Sequence, residues 1–467
     1  MKDFWPQALK DIVWAFATAG ESQPRLFKKV ADHIFALDSL HNFKPQHLSN
    51  TIWAFATTEE SHPNMFKLGE PHPKLFKRIA DHIITLDLDK FEPQALSNTL
   101  WSYATAGESQ PQLFKRLGDH IIERELNNFK PQELSNIVWA FATAGETHSK
   151  LFKKVADHIV TLDKLDKFKP QHLSNIVWAF ATARESNPQL FNKLADHIVG
   201  LESLRQFNEQ ELSNIVWAFA ISGESHPQLF NKLADEAIKR QHEFTDQGIA
   251  NFLWAYATNG QIDEHLFSSL VPSMENLNDC TAQNLINVAW AYSVANVDAP
   301  SLFNDEFITA CLKREENGFM LEDLTQLYQW QLWQEELKSN VSLPSSLQKR
   351  CYEAFISRVP RPSKFQDDVV SILSSMDLQP QEEVLLSSGY RIDAVVEVNE
   401  KKIAVEVDGP SHFIGRSREL TGSTILKHRQ VAGLDEMQVV SIPYWDWIKI
   451  KKDTKKKKQY LQSLLGL

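Results

Sequence analysis

Apolar and polar positions alternate along this chain with a helical period, and the helical blocks themselves repeat. In Gln171-His-Leu-Ser-Asn-Ile-Val-Trp-Ala-Phe-Ala-Thr-Ala-Arg-Glu185, a projection at about 100° per residue puts Leu173, Ile176, Val177 and Phe180 on one face. Small residues flank it, with Ser174 and Ala181 on one side and Ala179 and Ala183 on the other. Gln171, Asn175, Trp178 and Thr182 make up the remaining face. This predicts a helix A covered by a second layer on its apolar face, with close neighbours along its small-residue flanks. A turn with the pattern Glu-Ser-x-Pro follows, and then a second amphipathic block around Leu190–Val199, helix B. Pro45, Pro93, Pro131 and Pro170 stand where a helix tolerates proline, in its first turn. Gly145 and Gly223 mark helix-A ends. Ser186, two residues before Pro188, is the expected cap of helix B.

The tryptophan recurs at Trp14, Trp53, Trp101, Trp139, Trp178, Trp217, Trp254 and Trp290, so neighbouring spacings are 39, 48, 38, 39, 39, 37 and 36 residues. The longest spacing contains a local duplication, Ser-His-Pro-Asn-Met-Phe-Lys ending at Lys67 and its echo ending at Lys77. Helical pairs at this period bury their apolar faces only by stacking on one another, which predicts an α-solenoid of eight repeats over residues 1–305.

Within the array a glutamine is constant at Gln7, Gln46, Gln94, Gln132, Gln171, Gln210, Gln247 and Gln283. An asparagine is nearly so, from Asn50 through Asn175 to Asn287, with Asp11 in the first repeat. Residues identical in every repeat cannot distinguish one base from another. The Gln/Asn/Trp set, with Asn175 and Trp178 as its examples, therefore reads as an inter-repeat ladder or as generic ligand contacts. The position after the glutamine varies: Ala8, His47, Ala95, Glu133, His172, Glu211, Gly248, Asn284. His47, Ala95, Glu133, His172, Glu211 and Asn284 are the candidates for reading a nucleotide sequence, although drift at a surface explains such variation too.

The Leu-x-Asn-x-x-Trp-Ala-Phe-Ala core and its period resemble the octotricopeptide repeat of organellar RNA-binding proteins. That resemblance covers about residues 4–305 and implies stabilisation, processing, splicing or translation of organelle transcripts. The total charge points the other way. A formal net charge of −11 is not the basic footprint that phosphate binding usually requires. Three scattered cysteines, Cys280, Cys311 and Cys351, fit a reducing compartment and lack metal-ligand spacing. No apolar run is long enough to span a bilayer. The chain opens already in repeat register at Phe4-Trp-Pro-Gln, without an Arg/Ser-rich presequence. Either the protein is cytosolic, or the start is misassigned and earlier repeats and a transit peptide precede it. The second reading is adopted and sends the protein to a mitochondrion or chloroplast.

Beyond Trp290 the pattern decays into closing helices and a linker over 306–360. These include an amphipathic helix from Leu321 to Trp333 with Trp330 and Trp333 in its core, a short helix around Leu347–Ile356, and a boundary at Val359-Pro-Arg-Pro. Residues 361–467 change period. A helix over Ser363–Met376 precedes strands at Glu383–Leu386, Tyr390–Val398 and Lys401–Asp408, with a hairpin turn at Asn399-Glu400. A helix over Thr424–Ala432 and an apolar strand from Gln438 to Pro443 complete an α/β module.

Its chemistry gathers at Asp393, Glu406, Asp408 and His412. Glu406 and Asp408, two apart on a strand, share a face, and Asp393 stands on the preceding strand. Three carboxylates together need a divalent metal, protonation or basic partners. Asp393, Glu406 and Asp408 are thus candidate Mg²⁺ ligands for phosphodiester cleavage. The alternative is a salt-bridge cluster with Lys427, His428 and Arg429.

Tyr390-Arg-Ile-Asp, Ile403-Ala-Val-Glu-Val-Asp-Gly-Pro-Ser-His-Phe, the Thr424–Arg429 helix and Ile442-Pro-Tyr-Trp-Asp-Trp resemble the RAP domain over about 390–449. With its repeats, the chain is similar to the Fas-activated serine/threonine kinase-like RAP proteins. The resemblance implies a PD-(D/E)XK-like fold in which Asp393 and Glu406 match acidic ligands and His412 a nuclease histidine. The expected lysine two residues after Glu406 is Asp408, and Lys427 is the candidate replacement. The basic run from Lys449 through Lys455, Lys456, Lys457 and Lys458, near Trp445 and Trp447, is a candidate for phosphate contact and base stacking, or else the solvated face of a terminal helix.

These observations lead to one expectation: single-stranded RNA bound by solenoid and RAP domain in organellar RNA metabolism, with ribonucleoprotein partners and no cofactor needed for binding. A repeat-guided, Mg²⁺-dependent endoribonuclease and a protein scaffold are the alternatives.

Overall fold

The structure, a computed structural model, describes every residue except 1–4, 22, 62–70, 271–276, 278–279, 316–317, 358–362, 416 and 451–452, and leaves out the side chains of 59–61 and 71–72. The first half of the duplicated segment, Phe4 and the Val359-Pro-Arg-Pro boundary lie outside the described residues. The chain folds as two compact units, Met1–Ser222 and Gly223–Leu467. Packing thus divides it inside the sixth repeat. The reason is that the last repeats bury surface against the C-terminal module.

The first unit alternates A and B helices. Its A helices are Pro6–Thr18, Pro45–Ser61, Pro93–Thr105, Pro131–Thr143, Pro170–Thr182 and Glu209–Ser222. Its B helices are Pro24–Ala36, Pro71–Thr85, Pro111–Glu123, Ser149–Thr161 and Pro188–Gly200. Proline begins most of them because the amide it lacks has no helical partner there. Gly107 and Gly145 stop A helices at positive φ, +64° and +68°, a conformation that costs other residues. Consecutive A helices pack along their length, as the alanine and serine flanks predict. Leu173, Ile176, Val177 and Phe180 are buried, whereas Gln171 and Thr182 are exposed and Asn175 and Trp178 half-buried.

Two repeated contacts register one pair against the next. An aromatic residue of each B helix meets the following A helix edge-on: Phe114 with Phe141 at 5.2 Å and Phe152 with Phe180 at 5.0 Å. Such T-shaped pairs favour the ring quadrupole. In addition, a B-helix cation donates to a carbonyl at the end of the preceding B helix. Arg116 reaches Leu86 O at 3.1 Å, and Lys154 and Lys193 reach Ile122 O and Leu162 O at 2.6 Å each. Positive charge at a helix C-terminus is where the macrodipole favours it.

The cap of helix B differs from expectation. The acceptor is the residue immediately before the first helical position: Asn187 Oδ1 receives Leu190 N at 3.0 Å, and His148 Nδ1 receives Leu151 N at 3.3 Å. Ser186 is one residue too early to reach that amide.

The second unit begins with helix B of the sixth repeat, Pro227–Lys239, followed by Asp246–Thr258, Glu264–Leu270, Ala282–Ala295 and Asp305–Glu315. The closing helix Leu321–Glu336 and the helix Ser345–Ile356 follow, with Trp330 and Trp333 fully buried. Asn296 replaces glycine at a left-handed helix end, and its Oδ1 accepts from Trp333 Nε1 at 3.0 Å.

The C-terminal module has a four-stranded sheet in the order β1-β2-β3-β4: β1 Gln381–Leu385, β2 Arg391–Val398, β3 Lys401–Asp408 and β4 Gln438–Pro443. β1, β2 and β3 run antiparallel in turn. β4 is parallel to β3 and is reached through the helix Gly422–Leu434, the crossover a parallel pair requires. Asn399 and Glu400 both take positive φ at the β2–β3 turn, the primed geometry that matches strand twist. On one face of the sheet Val369, Leu373, Val396, Val405, Ile442 and Leu461 form the core, sealed by the helices Lys364–Ser374 and Thr454–Leu465.

The helix Gly422–Leu434 packs on the Asp246–Thr258, Ala282–Ala295 and closing helices. Gly422 lies against the Ala257 carbonyl with no space for a Cβ. Arg429 donates to the carbonyls of Ser293 and Val294 and to Glu336.

Candidate functional site

Each residue of the acidic cluster comes from a strand or from the helix that follows it, and each carboxylate has acquired a partner. Asp393, on β2, accepts the amide of Val407 on β3 at 2.7 Å. Burial raises its proton affinity, and the amide only partly offsets this. Glu406, on β3, is 1% exposed, and Lys427 Nζ sits 2.7 and 2.8 Å from its two oxygens. Burial nevertheless pushes the carboxyl up to about 7, working against the lysine.

Asp408, at the end of β3, is fully enclosed. His412 Nδ1 lies 3.0 Å from one oxygen. Ser441 donates to the other, from which His428 Nε2 stands 3.9 Å away. Burial acts to raise Asp408, but the His412 and Ser441 bonds outweigh it and hold the carboxyl below the usual range. The same bond to Asp408 raises His412, whereas burial lowers His428.

This geometry bears on the proposed metal ligands. Among the described residues no three acidic, histidine or cysteine side chains converge as a metal would require. Asp393 is turned to a backbone amide, Glu406 to an ammonium and Asp408 to an imidazole and a hydroxyl. The donor set therefore does not fit Mg²⁺, and no step is derived through one. Of the basic partners expected, Lys427 and His428 face the cluster, but Arg429 turns away to Glu336 and the last repeat.

Beside the cluster lies a cavity of about 600 Å³ with Asp393, His412, Lys427 and Ser423 on one side and Trp290 and Gln329 on another. A buried polar chain crosses behind it. Trp290 Nε1 donates to Gln329 Oε1 at 3.0 Å, Gln329 Nε2 donates to Tyr390 Oη at 3.0 Å, and Tyr390 donates to Gln430 Oε1 at 2.8 Å. Every link is satisfied, which is what lets such groups lie buried at acceptable cost. Sequence reasoning missed Gln329 and Gln430. For Gln329 the signal available was its alternation, with Gln331 and Gln334, with the core tryptophans Trp330 and Trp333 on one helix.

On the repeats, Trp101 and Trp139 stack at 6.4 Å and Trp139 and Trp178 meet at 6.5 Å, so the indoles form the expected ladder. The asparagines take no part in it. Among the described residues Asn98, Asn136, Asn175 and Asn214 have no side-chain hydrogen-bond partner and stand half-buried beside the indoles. In the second unit Asn287 accepts from Gln283 at 2.8 Å.

The variable position faces elsewhere. His172 Nδ1 accepts Lys169 N at 3.1 Å, His47 Nδ1 accepts Lys44 N at 3.2 Å, and Glu133 and Glu211 accept Lys130 N and Asn208 N at 2.7 and 2.8 Å. These residues close the first turn of helix A as the N3 member of a capping box does. His47, Ala95, Glu133, His172 and Asn284 are buried, and burial lowers His172, keeping neutral the ring nitrogen that accepts. We accordingly expect His172→Ala to lower stability by about 1 kcal/mol and leave RNA affinity unchanged. Thermal melting alongside a binding titration checks this, and an intact melting temperature with altered RNA preference would return the position to sequence reading.

The basic run is divided. Lys457 is buried on Asp368 at 2.5 Å and lies over the Trp447 ring at 5.0 Å. Lys458 donates to Ser375 O at 2.6 Å. Lys455 and Lys456 are exposed. Trp445 is half-buried, 4.0 Å from the Phe413 ring centroid with Arg418 5.9 Å above it.

Comparison with known proteins gives two family matches. Residues 405–464 match the RAP domain, and residues 120–343 match the RNA-editing substrate-binding complex 6 protein family. The first includes Glu406, Asp408, His412, Lys427 and the lysine run but not Asp393, and it ends later than the 390–449 core expected. The octotricopeptide assignment of the repeats stays a resemblance. A chloroplastic RAP domain-containing protein of Oryza sativa subsp. japonica is 26% identical over 210 residues, covering 42% of this chain and 32% of the rice protein. The aligned part of this chain thus spans about a third of that relative.

Proposed function

We propose that this chain, which carries a RAP domain at its C-terminus, is a single-strand RNA-binding protein of organellar RNA metabolism. The observation that carries the reading is the face of the first unit on which half-buried indoles alternate with asparagine amides that lack partners. Aromatic faces take bases by stacking, and free amides hydrogen-bond to base edges or phosphates. The RAP and RNA-editing family matches and the chloroplastic relative support both the class of partner and an organellar site, mitochondrion or chloroplast.

Stacking also reconciles the reading with the charge. With a net charge of −11 and Lys457 and Lys458 occupied internally, phosphate contacts are few. Affinity then rests on bases and depends only weakly on salt. Processing, stability, splicing and translation of a transcript are the steps such a protein serves, within a ribonucleoprotein assembly.

The test is crosslinking of the native protein to RNA in its own cells, followed by sequencing. A confined set of organellar transcript segments is expected. Recovery of no RNA above background, with only proteins co-purified, overturns the reading in favour of a scaffold.

A further inference from the structure

The cavity at the acidic cluster joins two kinds of chemistry. Its volume of about 600 Å³ lies in the range of pockets for small organic ligands. That is space for a nucleotide and not for a duplex. The RAP-domain wall presents Lys427, His412, Ser411 and Ser423. Lys427 is held by Glu406 and His412 by Asp408, so both side chains are fixed, while the ammonium keeps a further donor to give and the imidazole gains one on protonation, which its bond to Asp408 favours. Phosphate oxygens take such donors in charge-assisted bonds. The repeat and closing-helix part of the lining holds the Trp290 indole and the Gln326 amide, groups that suit a base, whereas the Gln329 amide is spent on Trp290 and Tyr390. Asp393 and Glu383 also line the cavity. Glu383 is engaged by Gln366 at 2.8 Å, and carboxylates are ordinary partners of ribose hydroxyls.

The cavity is also continuous with the indole row of its own unit. Trp254 and Trp290 lie 6.4 Å apart, and Trp290 is the member that enters the cavity wall.

We propose that this cavity binds one nucleoside monophosphate unit, with phosphate at Lys427, His412 and Ser423 and base toward Trp290 and Gln326. The unit is either a nucleotide of a bound strand or a free nucleotide, and only the first source rests on the RNA-binding reading.

Ser423→Glu tests the proposal in the full chain. It places a carboxylate at the phosphate position, while the first turn of the Gly422–Leu434 helix favours an acidic residue, so the fold and melting temperature are retained. Ser411→Glu, on the neighbouring turn, serves as a second variant should the first melt early. Titrations use adenosine and uridine monophosphates and, separately, short single-stranded oligoribonucleotides. Weakening by about tenfold or more of monophosphate binding supports the site with free nucleotide as its source. The same weakening confined to the oligoribonucleotide supports a lodged strand nucleotide. If wild-type chain binds the oligoribonucleotide, no monophosphate binds, and a folded glutamate variant keeps full oligoribonucleotide affinity, the site falls and the RNA reading stands. If wild type binds neither probe, both fall.

Discussion

Trp139→Leu combined with Trp178→Leu is expected to reduce affinity for single-stranded RNA by about thirtyfold or more. The two indoles meet at 6.5 Å on the face that carries the unpartnered Asn136 and Asn175. Each stacked base is worth about 1–3 kcal/mol by substitution, so removing two planar surfaces removes about 2 kcal/mol at the least. Leucine preserves much of the apolar bulk between repeats while removing the flat π-face, which separates stacking from packing. Affinity measured by fluorescence anisotropy at low and moderate salt, with circular dichroism as a check on folding, decides the matter. A folded double variant with wild-type affinity would move RNA off this face altogether.

Lys427→Met is expected to destabilise the C-terminal unit by about 3–5 kcal/mol above neutral pH, because it leaves Glu406 buried without its cation. The effect should shrink as pH falls. The folded-state value of Glu406 is raised to about 7 from an ordinary 4.5. The group's contribution is therefore fully present below the unfolded value and is lost as pH rises through the folded one. At pH 6 the carboxyl takes up a proton and the missing lysine matters less. Glu406→Gln should be tolerated and should flatten that part of the pH dependence. Hydrogen exchange of β3 amides at pH 6 and pH 8 reads the unit selectively in a chain that need not unfold in one step. Equal destabilisation at both pH values would mean that Lys427 acts through packing and not through charge.

The parts of this structure that sequence made legible are those encoded locally. The tryptophan period located every A helix, because each pair must hide the same stripe. The Asn399-Glu400 turn between alternating runs located the β2–β3 hairpin. What escaped depends on partners far apart in the chain. Gln430 donates to the Gln329 carbonyl at 3.0 Å across 101 residues, and nothing in either local pattern specifies the other. His172 escaped for a different reason: in sequence alone, variation at a first-turn capping position looks the same as variation at a base-reading one. Only the direction of the side chain, back toward Lys169, separates the two. The lysine run was partly readable. Lys457, Leu461 and Leu465 are one turn apart and all buried, so the helix had an inner face that the charge run obscured.

The acidic cluster stands between these cases. Sequence placed Glu406, Asp408, His412 and Lys427 in one neighbourhood, and they are found there. It did not reveal that each carboxylate is already engaged, Asp393 by the Val407 amide, Glu406 by Lys427 and Asp408 by His412 and Ser441, since those pairings depend on how separate elements meet.

The seating of that helix also bears on how such chains diversify. Gly422 leaves no space against Ala257, and Arg429 is spent on the carbonyls of Ser293 and Val294 and on Glu336. A RAP domain so attached is not a free cassette that recombination can move alone. Its heritable piece runs back to the last repeats, close to Gly223. Gain or loss of whole repeats is then least disruptive in the stretch before that point.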